Sequence, residues 1–169
     1  MPVVILGIDP GLANTGWGVV EADGSRFRCL GYGCIRTQAT HDTASRCKIV
    51  HDGLVDVIDR YRPAEAALEH IYFNRNVSSA MATGQARGAA LVAVADALLA
   101  VGEYGPGEIK LAVVGSGSAD KGQVTYMVRT ILALDHDPKP DHAADALAAA
   151  ICHANQRVAR ARVAGAEAS

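Results

Sequence analysis

Five residues carry side chains that could meet at one metal site. Asp9 ends the apolar run VVILGID, and Glu69 lies near the end of the short run AEAALEHI. Asp141, His142 and Asp145 follow the loop DHDPKP, where a helix is expected to begin. Helical residues advance by ~100° each, so Asp145 lies ~40° from Asp141 and ~60° from His142. Either pair can therefore point at the same site.

The chemistry of such a group would be metal-assisted cleavage of a phosphodiester. Carboxylates gathered in one place repel one another unless cations neutralise them. Oxygen ligands suit Mg²⁺ or Mn²⁺, and two ions ~3.5–4 Å apart would stabilise the attacking water and the leaving 3′-oxygen. Alternatively, Asp9 caps a turn while Asp141 and Asp145 simply favour a helix N-terminus. Spacing alone leaves both interpretations open.

The first half of the chain predicts three strands, a helix and a short strand. An antiparallel hairpin is expected over residues 3–22, where the apolar run is followed by the turn-rich PGLANTG and by WGVVEA. A third strand is expected over residues 27–36. Apolar residues then recur at helical spacing between Ser45 and Tyr61, and AEAALEHI favours a short buried strand.

The second half predicts a long Ala-rich helix over residues 77–101 and a strand over residues 109–114 (IKLAVV). Ser118 is the expected N-cap of the next helix, and the last helix is expected from Asp141 to about Gln156. The order is βββ-α-β-α-β-α-α, which indicates an α/β fold with a mixed sheet. We expect one domain over residues 1–156 and a disordered tail over residues 157–169.

Composition excludes several classes of protein. The chain has 169 residues, of which 50% are hydrophobic, so one domain can bury a substantial core. No apolar run approaches the ~20 residues of a membrane span, and the N-terminus lacks the basic region of a signal peptide. A cytoplasmic protein is therefore expected. The formal net charge of −2 leaves nucleic-acid binding open, because binding depends on how charge is distributed.

Five sequence blocks resemble the RuvC family of bacterial Holliday junction resolvases in order and spacing. They span about residues 3–154: GIDPGLANTGWGVV, EHIYFNRN, GQARGAALVA, VVGSGSADKGQVTYMV and HAADALAAAICH. The resemblance implies an RNase H-like fold with a mixed five-stranded sheet flanked by helices. It also implies a homodimer that resolves four-way DNA junctions in recombination and repair. The expected reaction is paired symmetric nicking with Mg²⁺ or Mn²⁺, two ions per site, leaving 5′-phosphate ends.

The same resemblance implies roles for the acidic residues. Asp9 matches the first catalytic acid of the family, Glu69 the second and Asp145 the fourth. His142 stands where the third carboxylate is often found, since the family's D-A-A-D-A-L reads H-A-A-D-A-L here. Asp141 is the alternative third ligand, or else it caps the last helix. Imidazole at this position favours Mn²⁺ over Mg²⁺, or serves as a general base.

The family pattern also implies DNA contacts. Two lysines match its basic positions, Lys110 and Lys121, although a solvated surface lysine is the ordinary alternative. Tyr72 and Phe73 lie in a loop that continues as Asn74-Arg75-Asn76. These aromatic, basic and amide side chains suit a wedge at strained bases, with Tyr72 matching the family's wedge position best. The alternative role of either ring is to anchor the loop to the core.

Oligomer and partners follow from the resemblance as well. Small residues on the long helix, Ala80, Gly84, Ala86, Gly88 and Ala90, would let a second copy approach closely, or would serve packing on its own sheet. The branch-migration proteins RuvA and RuvB are the expected partners.

Two other functions compete with junction cleavage as interpretations of the sequence. GIDPGLANTG also resembles the first phosphate loop of actin-like ATPases and sugar kinases, which need a second domain. A junction-binding module without catalysis is the other, favoured only by His142.

Overall fold

The computed structural model describes the backbone of residues 1–70 and 76–167, and the side chains of that part as far as residue 159. Within these residues a sheet is formed by β1 (Val3–Asp9), β2 (Asn14–Asp23), β3 (Arg26–Arg36), β4 (Glu65–Glu69) and β5 (Ala100–Tyr104). The helices of the same part are α1 (Thr43–Tyr61), α2 (Val77–Asp96), α3 (Pro106–Val114), α4 (Lys121–Ile131) and α5 (Asp141–Glu167).

The sheet of the described residues is mixed and has the order β3-β2-β1-β4-β5. β1, β2 and β3 pair antiparallel, as the predicted hairpin and third strand require. β4 joins β1 in parallel, and β5 joins β4 in parallel. The carboxyl ends of β1, β4 and β5 therefore lie at one edge of the sheet.

Side-chain alternation along the strands divides the core between the two faces. Leu6 and Ile8 of β1 face α1 and α2 in one cluster of buried residues, whereas Ile5 faces α3, α4 and α5 in the other. The predicted apolar face of α1 is confirmed, because Val50, Leu54, Val57 and Ile58 are its buried residues. The same alternation places Asp9 and Glu69 on the face of the sheet that α5 covers.

α5 lies unusually close to β1 and β2. A Cβ atom added at Gly7 would lie 1.8 Å from the main-chain oxygen of Ala146, and one at Gly16 would lie 2.0 Å from that of His142. No side chain fits at either position. The two glycines therefore allow the first turns of α5 to pack directly on the strands, next to Asp9.

The predicted strand over residues 109–114 is wrong. This segment belongs to α3, and the fifth strand is β5, which lies earlier in the chain. Pro106 occupies the first turn of α3, where its missing N–H costs nothing, and the Glu108 carboxylate accepts a 2.7 Å hydrogen bond from the Gly105 N–H. These helix-start signals determine the structure of the apolar residues that follow.

Three helix boundaries also differ from prediction. α2 ends at Asp96 and not at Val101, because residues 100–104 instead pair with β4. Asp120, not Ser118, is the N-cap of α4, since its side chain accepts from the Gln123 N–H at 2.9 Å. α5 continues to Glu167, so residues 157–167 are helical where a disordered tail was expected. Across the described residues, no helix combines the length and apolar character needed to span a membrane.

Candidate active site

Two carboxylates meet at the edge of the sheet where β1 and β4 end. Asp9 is the last residue of β1 and Glu69 is the last residue of β4. The strands are parallel, and Ile8 pairs with Leu68, so Asp9 and Glu69 come next to each other in register. The parity of both strands directs these side chains towards α5. The two acids predicted from separate sequence blocks thus occupy neighbouring positions.

The start of α5 adds two further side chains. Ligand atoms of Asp9, His142 and Asp145 all lie within 4.8 Å of one another. His142 Nδ1 is 2.8 Å from Asp9 Oδ2. Glu69 stands outside this tight group, but its carboxylate lies near enough to Asp9 and Asp145 to experience their charges. The geometry therefore gathers all four predicted ligands in one region.

Asp141, the alternative ligand, is not part of the compact group of Asp9, His142 and Asp145. Its two carboxylate oxygens lie 3.8 Å from the ammonium groups of Lys121 and Lys139. It is also the first residue of α5, so the expectation that it caps this helix is wrong. Asp141 therefore contributes charge at the rim of the site, while His142 contacts Asp9.

The electrostatics of the site favour a bound cation. Burial, followed by the charge of Asp145, raises the pKa of Asp9, although the hydrogen bond from His142 opposes the rise. Burial also raises the pKa of Glu69, and the charges of Asp9 and Asp145 add to the effect. Ionised carboxylates held this close are destabilised without a counter-charge. A divalent cation between them would remove that cost.

Both predicted lysines line a cavity of about 270 Å³ that opens onto Glu69 and Asp145. Lys121 is the first residue of α4, and its ammonium group is 3.2 Å from Asp145 Oδ2. Burial works against the charge of Lys121, yet Asp145 raises its pKa overall. Lys110 belongs to α3, not to a strand, and its charge acts on Glu69. Each lysine therefore lies beside a carboxylate of the site.

Arg87 and Glu103 were not predicted. Arg87 Nη1 donates to the main-chain oxygen of Glu69 at 2.7 Å, and its Nη2 lies 2.6 Å from Glu103 Oε2. The His70 ring lies 3.2 Å from the same Glu103 oxygen. These contacts join α2 and β5 to the end of β4, so they position the backbone that carries Glu69. The available signal was a single arginine in the small-residue block GQARGAALVA, since an arginine that is largely buried requires a partner.

The predicted wedge residues Tyr72, Phe73 and Arg75 lie outside the described residues. Asn76 is described: its Oδ1 accepts from the Ser79 N–H at 3.3 Å and caps α2. DNA contact by Asn76 stays a prediction, and its side chain also has a structural role as the N-cap of α2.

Comparison with known proteins agrees with this architecture. A family model of crossover junction endodeoxyribonuclease RuvC matches residues 5–153. The RuvC of Heliobacterium modesticaldum is 52% identical over 153 residues, which cover 90% of this chain and 94% of that protein. The RuvC of Desulforamulus reducens is 49% identical over 152 residues, covering 90% and 93%. The structure of T. thermophilus RuvC in complex with Holliday junction substrate matches with a TM-score of 0.89 and 38% identity, covering 94% and 96%. The expected RNase H-like fold is confirmed.

Proposed function

Because the chain belongs to the crossover junction endodeoxyribonuclease RuvC family, we propose that it is a metal-dependent nuclease that resolves four-way DNA junctions in recombination and repair. A RuvC of the same fold has been solved with Holliday junction substrate. The observation that carries the proposal is the group of Asp9, His142 and Asp145 within 4.8 Å of one another, with Glu69 on the adjacent strand. The reaction is hydrolysis by paired symmetric nicks that leave 5′-phosphate ends.

Mg²⁺ or Mn²⁺ is the proposed cofactor, with two ions in each site. The donor set fits: three carboxylates and one imidazole converge, and burial, with the charges of neighbouring carboxylates added to it, raises the pKa values of Asp9 and Glu69. When bound, the ions would activate water and stabilise the leaving oxygen. Asp9, Glu69, His142 and Asp145 would hold them.

His142 is the proposed third ligand in preference to Asp141. Its ring contacts Asp9 at 2.8 Å, whereas the Asp141 carboxylate is engaged by two lysines at the rim. One imidazole in place of a carboxylate makes the site less negative and improves its match to Mn²⁺. We therefore expect Mn²⁺ to support faster cleavage than Mg²⁺.

Lys110 and Lys121 are the proposed phosphate contacts at the cleavage site. Both line the cavity next to Glu69 and Asp145, where their ammonium groups would neutralise the DNA backbone as it reaches the ligands. The proposed wedge is Tyr72, with Phe73, Arg75 and Asn76 as the surrounding contacts. This part of the proposal rests on the family pattern, and on Asn76 lying at the N-terminus of α2.

A homodimer would place two such sites on a two-fold symmetric junction. α2 leaves a stripe at helical spacing uncovered: Val77, Met81 and Val92 are exposed apolar residues, and Gly84 and Gly88 have open space beside them. The opposite side of α2, with Ala86 and Ala90, is buried within its own subunit, where α2 packs mainly against α1. The stripe suits a symmetric contact between two copies of α2.

Sedimentation equilibrium tests the dimer. Wild-type protein is expected at dimer mass at micromolar concentration, and Met81→Arg at monomer mass. Leu111→Arg is the matched control, because Leu111 is comparably exposed on α3, away from the stripe. Monomeric wild type, or a Leu111→Arg variant that dissociates as Met81→Arg does, contradicts the interface.

RuvA and RuvB are proposed as partners on family likeness alone, and residues 1–156 are proposed as the nuclease domain.

One experiment tests the proposed junction-cleaving activity. The protein is incubated with a synthetic four-way junction, and separately with linear duplex of the same arm sequence, in Mg²⁺ or Mn²⁺. The expected result is paired nicks confined to the junction, closed by DNA ligase. Equal cutting of the duplex, or no cutting in either metal, overturns the proposal.

A further inference from the structure

A second concave surface adjoins the candidate active site on the side of His142. This surface, here called the Arg46 groove, has a volume of about 330 Å³. Its polar lining residues are Asn14, Arg46, Ser79, Thr83 and His142. The cavity of Lys110 and Lys121 has no lining residue in common with it, and includes Asp145 instead. The metal-ligand group therefore lies between two separate concave surfaces.

Arg46 is held in a defined position at this groove. Its Nε donates to Thr37 Oγ1 at 2.8 Å. The Thr37 hydroxyl donates in turn to the main-chain oxygen of Leu12 at 2.5 Å, and the Thr37 N–H donates to that of Ala13 at 3.0 Å. Leu12 and Ala13 belong to the loop that follows Asp9. The guanidinium is thus fixed relative to the first metal ligand.

Arg46 has no ion-pair partner among the described residues. Throughout residues 1–70 and 76–159, its two terminal nitrogens form no ion pair and no hydrogen bond, and no carboxylate lines the groove. Ser79, Thr83 and Asn14 add hydroxyl and amide groups, which commonly contact DNA phosphates and sugars. A half-buried guanidinium with free terminal donors is suited to a phosphate.

We propose that the Arg46 groove holds the DNA strand on the opposite side of the cleaved phosphodiester from Lys110 and Lys121, with Arg46 contacting a backbone phosphate. The inference rests on the proposed function, which puts the cleaved phosphodiester at the metal ligands. A strand that crosses those ligands leaves the lysine cavity at Asp145 and enters the groove at His142. Phosphates on both sides of the cut are then bound by cationic side chains of the same subunit.

The first test compares Arg46→Gln with Lys48→Gln. Lys48 lies on the same helix, but its side chain is exposed and pairs with Asp52 at 2.6 Å, so both variants lose one positive charge. Affinity for a four-way junction is measured in Ca²⁺, without cleavage, over a range of salt concentration. Arg46→Gln is expected to weaken binding about tenfold, and to reduce the salt slope by about one. Lys48→Gln is expected to change neither, and equal effects of the two variants overturn the proposal.

The second test maps the phosphates. Single neutral methylphosphonates are placed, one at a time, on each side of the cleavage position. Wild-type protein should lose affinity at positions on both sides. For Arg46→Gln, methylphosphonates should no longer weaken binding at positions on one side of the cleavage position. For Lys121→Gln, they should no longer weaken binding at positions on the other side. If both variants become insensitive on the same side, the strand does not run through the groove.

A third variant covers the case in which Arg46→Gln disturbs the loop after Asp9. Thr83→Glu introduces a negative charge into the groove from α2. Thr83→Gln is the control, because glutamine has nearly the same size as glutamate and no charge. Weaker junction binding by Thr83→Glu than by Thr83→Gln supports the inference, and equal binding refutes it. If wild-type protein cuts junctions and all groove variants bind them normally, the role of the Arg46 groove is refuted but the proposed function is not. Failure of wild type to bind junctions refutes the proposed function with it.

Discussion

Replacing His142 with alanine is expected to slow junction cleavage at least about 100-fold, whereas Asp141→Ala should slow it less than about fivefold. The first magnitude is that of removing one preorganised group that stabilises the transition state, about 2.7–4 kcal/mol. His142 qualifies because its ring is 2.8 Å from Asp9 and belongs to the compact ligand group. Asp141 is 61% exposed, and its contacts with Lys121 and Lys139 are 3.8 Å long. Exposed pairs of this kind contribute about 0.2–1 kcal/mol.

The assay is single-turnover cleavage of a labelled four-way junction in Mg²⁺ and, separately, in Mn²⁺. Junction affinity in Ca²⁺ is measured alongside it, because both alanine variants should still bind. His142→Asp serves as the matched variant, since it restores the four-carboxylate pattern of the family. It should remain active and shift the metal preference towards Mg²⁺, because an oxygen donor replaces the imidazole.

The reasoning fails on a specific result. If Asp141→Ala is inactive while His142→Ala cuts normally, the carboxylate is the third ligand and the contact between His142 and Asp9 is incidental. If both alanine variants lose cleavage together with junction affinity, the two residues contribute to DNA binding and not to the metal site. Circular dichroism of each variant separates these outcomes from unfolding.

Four further predictions follow from the site. Asp9→Asn should abolish cleavage while leaving junction affinity nearly unchanged; activity near wild type in Mn²⁺ contradicts its role as a ligand. Glu69→Gln should raise the thermal midpoint of the metal-free protein at pH 7, because burial and neighbouring charges raise the pKa of Glu69. Because the pKa of Glu69 is higher in the folded state, ionisation of Glu69 destabilises the wild-type fold. The stability gained by Glu69→Gln should therefore vanish below pH 4.5, the ordinary pKa of this carboxyl. Added Mn²⁺ should reverse the gain, because Glu69 would then bind the ion. Arg87→Met should lower the cleavage rate roughly 10-fold to 100-fold, through misplacement of Glu69, with little change in junction affinity, and Arg87→Lys should restore part of the rate. Tyr72→Ala should impair cleavage more than binding; equal losses favour an anchoring role.

The sequence predicts most of the sheet because its signals there are local. β1 and β2 are apolar runs separated by a turn-rich segment, and their pairing follows from the hairpin. The buried face of α1 follows from helical spacing alone. Asp9 and Glu69 could be placed at strand ends for the same reason. Their adjacency could not, because it depends on the parallel pairing of β4 with β1, which the chain reaches only after a helical crossover.

The fifth strand was misplaced because apolar character does not distinguish a strand from a short helix. Ile109 and Val113 are buried in α3, where they pack with residues of α5. Pro106 and Glu108 carried the helix-start signal, and Gly115, with φ of 85°, ends the helix in a conformation that favours glycine. Residues 100–104 form the strand β5 because their backbone pairs with β4. This pairing is a tertiary effect that local sequence signals do not reveal.

The sequence leaves open whether His142 or Asp141 lies beside Asp9, and the packing of α5 places His142 there. Both residues lie in the first turn of one helix, and helical spacing allows either to reach a site shared with Asp145. The rotation of α5 is set at Gly16, where an added Cβ would lie 2.0 Å from the His142 main-chain oxygen and 2.8 Å from its Cβ. Gly16 also pairs with Asp9 across β1 and β2, so the residue of α5 that lies against Gly16 also lies beside Asp9. Asp141 is ~100° further round the helix and meets the lysines at the rim. A glycine with no chemistry of its own thus determines which side chain faces the first carboxylate.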